Sequence, residues 1–183
     1  MILDALTLDD CLEVVKWRNE DISGLRTPYF LGEEMQIDFY NKVICNRESP
    51  HKYIAIREEE DKVLLPVNGT TKDNILIGMG GLTDIDWINR QAEISLIIAP
   101  FARGKGLGKE AAVMVIEWGF KTLNLDYIYG ECYNTNETGL QFWHDLINEY
   151  GGWESNLPCV KYWKGQYWDG MYFKFRREDF VKV

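Results

Sequence analysis

Ile98-Ala99-Pro100-Phe101-Ala102-Arg103-Gly104-Lys105-Gly106-Leu107-Gly108-Lys109 decides the fold. The run that leads into it, Glu93-Ile94-Ser95-Leu96-Ile97-Ile98, is apolar enough for a buried strand, and Pro100 stops that strand. Beyond the glycines, Leu107, Ala111, Ala112, Val115, Ile116 and Phe120 recur at helical spacing. The stretch is therefore a strand-to-helix turn. Its glycines let backbone approach a ligand, and several amide N–H groups converge where the helix dipole is positive. Residues 101–109 hold Arg103, Lys105 and Lys109 and no acid, in a chain of net charge -9. Such a turn either receives an anion or only connects two elements. It is not a Walker loop, because Arg103 stands where the first glycine belongs and Glu110 follows Lys109; the third glycine of GxGxxG would fall on Lys109.

Working outward, Tyr127 to Cys132 reads as a strand, which completes a strand-helix-strand unit. Asn136 opens a later helix with Leu140, Phe142, Trp143, Leu146 and Ile147 on its apolar side. Upstream, Leu3 to Leu8 is expected as a first strand and Thr7 or Asp9 as the cap of a helix carrying Leu12, Val15 and Trp17. A second helix opens at Glu33-Glu34 with Met35, Phe39, Val43 and Ile44. Tyr53 to Ile56 and Ile75 to Gly81 read as strands, with a turn beginning at residues 57–61 and a loop at 63–71. The polar link from Asp84 to Arg90 makes the last of these antiparallel to the strand from Glu93. At the C-terminal end, Val160 to Trp163 and Tyr167 to Phe175 flank Gly165-Gln166 as a hairpin. No repeat or linker divides residues 1–183, so one α/β domain is expected.

Composition narrows the function. With 29 acids against 20 bases, nucleic acid is excluded as a default partner and a cationic one fits. The absence of a long apolar run or basic leader points to the cytoplasm, with no membrane partner. Four scattered cysteines and two histidines speak for reduced, buried thiols and against a metal site.

Arg103-Gly104-Lys105-Gly106-Leu107-Gly108 after a strand ending in Pro100 resembles the coenzyme A loop, Arg/Gln-x-x-Gly-x-Gly/Ala, of the GNAT superfamily of N-acetyltransferases. Trp17-Arg18-Asn19, Asn136, Asp169-Gly170-Met171-Tyr172-Phe173-Lys174-Phe175 and Arg177-Glu178-Asp179-Phe180 are similar to the branch that acetylates ribosomal-protein N-termini. The resemblance covers nearly the whole chain. It implies an α+β fold with a mixed, mostly antiparallel sheet, a splayed central strand pair and about four flanking helices. It implies acetyl-CoA as co-substrate, with its pyrophosphate on the amides of Arg103, Gly104, Lys105, Gly106, Leu107, Gly108 and Lys109. The pantetheine arm would lie near Ile98 and Asn136 would support it from the far side. No metal is needed, and a monomer or homodimer is expected.

An amine attacks a thioester only when neutral, so a base must take its proton. Glu93 leads, on one face with Ser95 and Ile97; Asp84 and Asp86 follow, and a solvent-facing role is the alternative for Glu93. Trp17, Arg18, Tyr29, Phe30, Tyr162 and Trp168 are candidates to line the acceptor site. Many members of the family carry a tyrosine that protonates the leaving thiolate, where Trp143 stands in this chain; Thr135, Thr138 and Tyr133 are alternative hydroxyls. The acceptor is expected to be a primary amine: a protein N-terminus, an amino sugar, a polyamine or a similar small amine. Two other readings remain: a non-catalytic domain binding CoA or acyl-CoA, and an aromatic-rich module for protein or sugar.

Overall fold

A computed structural model describes residues 1–58 and 74–180, so the expected loop at 63–71 and part of the turn at 57–61 lie outside the described residues. In chain order the elements are β1 (Ile2–Asp4), α1 (Leu8–Glu20), α2 (Glu33–Phe39), β2 (Lys52–Glu58), β3 (Ile75–Asp86), β4 (Gln91–Ile98), α3 (Leu107–Lys121), β5 (Tyr127–Tyr133), α4 (Glu137–Tyr150), β6 (Trp153–Trp163), β7 (Gln166–Arg176) and the short α5 (Arg177–Phe180). The strands form one sheet in the order β1-β2-β3-β4-β5-β7-β6. All neighbours are antiparallel except β4 and β5, which α3 connects in parallel. This is the mixed, mostly antiparallel sheet expected from the sequence.

Several expected boundaries move: β3 runs past Gly81 to Asp86, taking in the first part of the expected polar link, β6 begins at Trp153 rather than Val160, and three others shift for local reasons. The first strand ends at Asp4 rather than Leu8, because Thr7 caps α1: its hydroxyl accepts from Asp10 N–H (3.2 Å), and the Asp10 carboxylate accepts from Thr7 N–H (2.9 Å). That reciprocal pair satisfies two donors and fixes the helix start at Leu8. Arg57, expected in a turn, lies in β2 and pairs with the same Asp10 at 2.7 Å. The second helix closes at Phe39 and widens to a π turn over Tyr40–Ile44, where Cys45 N–H reaches back to Tyr40 O (2.9 Å).

The core takes in Cys11, Val14 and Trp17 of α1 and Trp143 and Leu146 of α4, and includes the layer between the sheet and α3, with Val115, Ile116 and Phe120 beside Leu82 and Ile128. Gly119 allows that contact: a Cβ there would stand 2.6 Å from Ile128 Cδ1 and 2.7 Å from Leu82 Cδ1. A close approach of helix to sheet thus offsets the helix propensity that glycine forfeits. Of the four cysteines, Cys11 and Cys132 are buried and their thiols are pushed up to about 11 by burial. Cys45, just past the π turn, and Cys159 are exposed, so the expectation of buried thiols holds for half of them.

β6 and β7 form the expected hairpin, broken by a bulge: Leu157 faces Gly170 and Lys161 faces Trp168, so residues 158–160 stand against Asp169 alone. Cys159 has φ 55°, and its N–H is taken by the Asp169 side chain at 2.8 Å. No helix among the described residues is long and apolar enough to cross a membrane.

Candidate active site

β4 and β5 are paired only at Gln91 with Tyr127, Ala92 with Ile128 and Glu93 with Tyr129. Beyond that point β4 runs on to Ile98 and β5 to Tyr133 without pairing to each other. The strands therefore splay, leaving a wedge about 17 Å long on the β4 side. The backbone groups of β4 and β5 that do not serve the ladders to β3 and β7 face it, a row suited to an elongated, polar ligand. The faces follow from register. Gly80, opposite Leu96, lies under Val115 of α3, whereas Gly81, opposite Ser95, lies under Tyr53. Glu93, Ser95 and Ile97 therefore share the face away from α3, as the alternation predicts.

At the wide end, the connection turns through Pro100–Ala102 and passes Gly104 (φ 71°) and Gly106 (φ 81°), which caps α3 without a side chain. Positive φ is what demands glycine there, since neither position is crowded. Arg103 N–H donates to Pro100 O and Lys109 N–H to Gly106 O. Among the described residues the N–H groups of Gly104, Lys105 and Gly106 have no partner, and those of Leu107 and Gly108 open the helix. The amides free to receive an anion are thus fewer than the expected run: five successive N–H groups at the positive end of α3. Arg103 Nε donates to Ile98 O (3.0 Å), which braces the turn, and the Lys109 ammonium is paired with Glu149 of α4. Lys105 is exposed beside the amides. A Cβ added to Gly108 would stand 3.6 Å from Ile98 Cγ1, in ordinary contact, so the start of α3 lies close over the end of β4. This donor set suits a diphosphate with an arm running toward Glu93.

At the narrow end, Glu93 is nearly buried, with 13% of its side chain exposed. Arg26, from the connection between α1 and α2, reaches across the wedge. Its Nη1 donates to Glu93 Oε2 (3.0 Å), its Nη2 to Glu93 Oε1 (2.5 Å) and to Glu131 Oε2 (3.2 Å), and its Nε to Tyr133 Oη (3.4 Å). The hydrogen bond to Glu93 raises the pKa of the guanidinium, so it stays charged. The connection is anchored elsewhere too: Thr135 Oγ1 donates to Ser23 O (2.7 Å), Lys161 Nζ to Leu25 O, and Asn19 exchanges two bonds with Leu31. Lys161 is buried over the Tyr133 ring at 4.7 Å, and burial lowers its pKa. Sequence reasoning missed Arg26, Glu131 and Lys161. Glu131 carried a signal, because it alternates with Tyr129 and Tyr133 on the Glu93 side; Arg26 carried none.

The remaining candidates sort by what they touch. Asp86 holds the β3–β4 turn by accepting from Ile88 N–H, Asn89 N–H and Asn89 Nδ2; these hydrogen bonds, Asn89 foremost, lower its pKa. It has no free role as a base. Asp84 is exposed. Asn136 caps α4 through Gly139 N–H (2.9 Å) and packs on Gly24. Of the three candidate hydroxyls, Thr135 is bonded to Ser23 O, and Tyr133 is the one that a contact places within the Glu93 cluster. Tyr29, Phe30 and Tyr162 are exposed, Trp168 bonds to Trp163 O, and Trp17 bonds to Glu13. Arg18 has a buried Nε without a partner among the described residues, and burial lowers its pKa. Among the described residues no cluster of His, Cys, Asp or Glu has the makings of a metal site.

Trp143 is buried and stacks on Phe173 at 4.3 Å with 25° between the rings. An indole so packed is a core residue, and its N–H is too weak an acid to serve a thiolate. Trp143→Phe is expected to keep most of the turnover and to lose about 1–3 kcal/mol of stability, read by denaturant melts beside steady-state rates. A hundredfold fall in turnover with intact fold and cofactor affinity would assign the indole a chemical role.

Comparison with known proteins matches residues 1–141 to a family described as the acetyltransferase (GNAT) domain. Spermidine N(1)-acetyltransferase of Escherichia coli strain K12 is 35% identical over 69 residues; the match spans 38% of this chain and only 37% of the relative. Among solved structures, spermidine N-acetyltransferase from Vibrio cholerae in complex with CoA and spermine has a TM-score of 0.81 at 22% identity, covering 99% of this chain and 98% of that one. A dodecameric structure of the Vibrio cholerae enzyme in an intermediate state has a TM-score of 0.75 at 24% identity, with 99% and 96% covered. At these identities the likeness is one of fold.

Proposed function

The chain belongs to the acetyltransferase (GNAT) family, and from that premise we propose that it moves an acetyl group from acetyl-CoA to a primary amine of a polyamine. One observation carries the reading: the splay that begins at Glu93 and Tyr129, with five amides at its wide end and carboxylates at its narrow end. The amides of Gly104, Lys105, Gly106, Leu107 and Gly108 would hold the diphosphate, and Ile98 would flank the arm. Unpaired backbone donors in the wedge would polarise the thioester carbonyl.

In this reading Glu93 takes the proton from the incoming ammonium, directly or through water, and the freed nitrogen lone pair forms the C–N bond as the C–S bond breaks. Both Glu93 oxygens are engaged by Arg26 in the free chain, so the guanidinium must shift when the amine enters. In the same reading the surplus proton of the newly acylated nitrogen passes to the thiolate through the Tyr133 hydroxyl or water, and a thiol of pKa about 8.5 also leaves tolerably unaided. The polyamine assignment rests on the named activity of the relatives, on Glu93 and Glu131, and on a net charge of -9 that concentrates cations. A ribosomal-protein N-terminus, suggested by the sequence resemblance, is the other acceptor to test. A protein that only binds CoA, or an aromatic binding module, has no use for carboxylates at the narrow end of the wedge.

Residues 1–183 act as one catalytic domain, and the cytoplasm suits the reading. The range of assemblies extends beyond the expected monomer or homodimer to the dodecamer of the Vibrio cholerae enzyme, and light scattering on this chain decides it. The functional test is acetyl-CoA-dependent thiol release against polyamines, amino sugars and N-terminal peptides. Turnover with spermidine that falls as salt rises is the expected result. Release only with hydroxyl or anionic acceptors, or none despite acetyl-CoA binding, would overturn it.

A further inference from the structure

Among the described residues Arg26 is the side chain that bridges both splayed strands at the narrow end of the wedge, and it does so with a charged group presenting several N–H donors. That is also the chemistry of an alkylammonium. Glu93, Glu131 and Tyr133 Oη receive it with oxygens 2.5 to 3.4 Å away. Arg26 comes from the connection between α1 and α2, outside the sheet, and 58% of its side chain is exposed, against 13% for Glu93. The carboxylate belongs to the framework; the cation is the replaceable partner. The connection is fixed independently by Thr135, Lys161 and Asn19, so Arg26 can swing out without undocking the backbone that bears it.

We propose that Glu93, Glu131 and the Tyr133 hydroxyl form the subsite for the acceptor's ammonium groups, and that Arg26 fills this subsite in the free chain as a tethered competitor which only a cationic acceptor displaces. The inference rests on the amine-acetyltransferase reading and deepens it by naming what selects the acceptor. A neutral or hydroxyl acceptor has no charge to exchange for the guanidinium and leaves the two carboxylates uncompensated, so the gate discriminates before chemistry. A polyamine brings two ammonium groups and answers both Glu93 and Glu131. Occupancy by Arg26 lowers apparent affinity in proportion to the time the subsite is filled: filled nine-tenths of the time, it costs about tenfold.

The test uses the full chain saturated with acetyl-CoA, and compares wild type with Arg26→Ala, Arg26→Lys and, as a control for net charge, the exposed Arg47→Ala. Arg26→Ala is expected to lower the KM for spermidine by about tenfold, with acetyl-CoA affinity unchanged. Arg26→Lys, which restores a tethered cation, is expected to return KM toward wild type, and Arg47→Ala to leave it there. Methylguanidinium supplies the sharper reading: it should compete with spermidine in Arg26→Ala, whose subsite stands open, and hardly at all in wild type. An unchanged or raised KM in Arg26→Ala, or equal inhibition of both proteins by methylguanidinium, overturns the proposal and makes Arg26 a structural tie. Should Arg26→Ala melt early, Arg26→Gln removes the charge at nearly the same size. If wild type acetylates no amine, the functional reading fails. Calorimetric titration of spermidine then still decides the proposal, by whether Arg26→Ala binds it more tightly than wild type.

Discussion

Glu93→Gln is expected to cut turnover at neutral pH by roughly tenfold or more, up to the factor of about 10²–10⁴ that a positioned general base supplies, while acetyl-CoA affinity stays near wild type. The amide keeps the size of the carboxylate and part of its hydrogen bonding, and loses the ability to accept a proton. Cofactor affinity should hold because the five amides that would grip the diphosphate lie at the other end of β4. The loss should shrink as pH rises, because an amine of pKa about 10.4 then arrives increasingly deprotonated. Arg26 complicates this reading in one direction only: the Glu93→Gln variant would release half of its pairing, and Glu131 would still hold the guanidinium. Any easier entry of the amine would therefore show in KM and leave the defect in kcat visible. Unchanged turnover at neutral pH would make Glu93 a docking carboxylate and pass the proton to water or to the exposed Asp84, since the oxygens of Asp86 are taken by its own turn.

Gly106→Asp is expected to abolish the rise in melting temperature that acetyl-CoA gives wild type, with affinity reduced by about a hundredfold or more, roughly 2.8 kcal/mol. Residue 106 sits at φ 81° as the N-cap of α3, and its own N–H is one of the five free amides. Aspartate tolerates that backbone better than most residues and is a good N-cap, so the fold should survive. Its carboxylate would then lie among the amides and repel the diphosphate meant for them. Gly106→Ala, with the backbone strain and no charge, should lose much less. Calorimetric titration and thermal melts of the three proteins separate charge from geometry; a wild type that shows no response to millimolar acetyl-CoA removes the cofactor assignment altogether.

What could be read in advance follows how local each cause is. The strand ending at Ile98, the positive-φ glycines and α3 depend on residues near one another in the chain, and the sequence displays all of them. The Thr7 cap is equally local, yet the expected first strand runs over it, because Leu6 and Leu8 suit either element until the partner of Asp10 is known. The π turn after Phe39 shifts the apolar spacing by one residue, and Met35, Phe39 and Val43 fit a straight helix just as well. The cluster at the narrow end of the wedge lay furthest from view. Arg26 meets Glu93 and Glu131 across separations of 67 and 105 residues, and no periodicity reports a contact that the sheet order alone creates.

The bulge in β6 bears on how copies of this chain meet. β6 is the outer strand beside β7, and an open strand edge of that length ordinarily invites another strand to extend the sheet. Here the ladder breaks after Leu157: Pro158 has no N–H to offer, and the N–H of Cys159 points inward to Asp169. An incoming strand would find an unbroken row of partners only over residues 153–157. Lateral growth of the sheet is therefore obstructed at this border beyond Leu157.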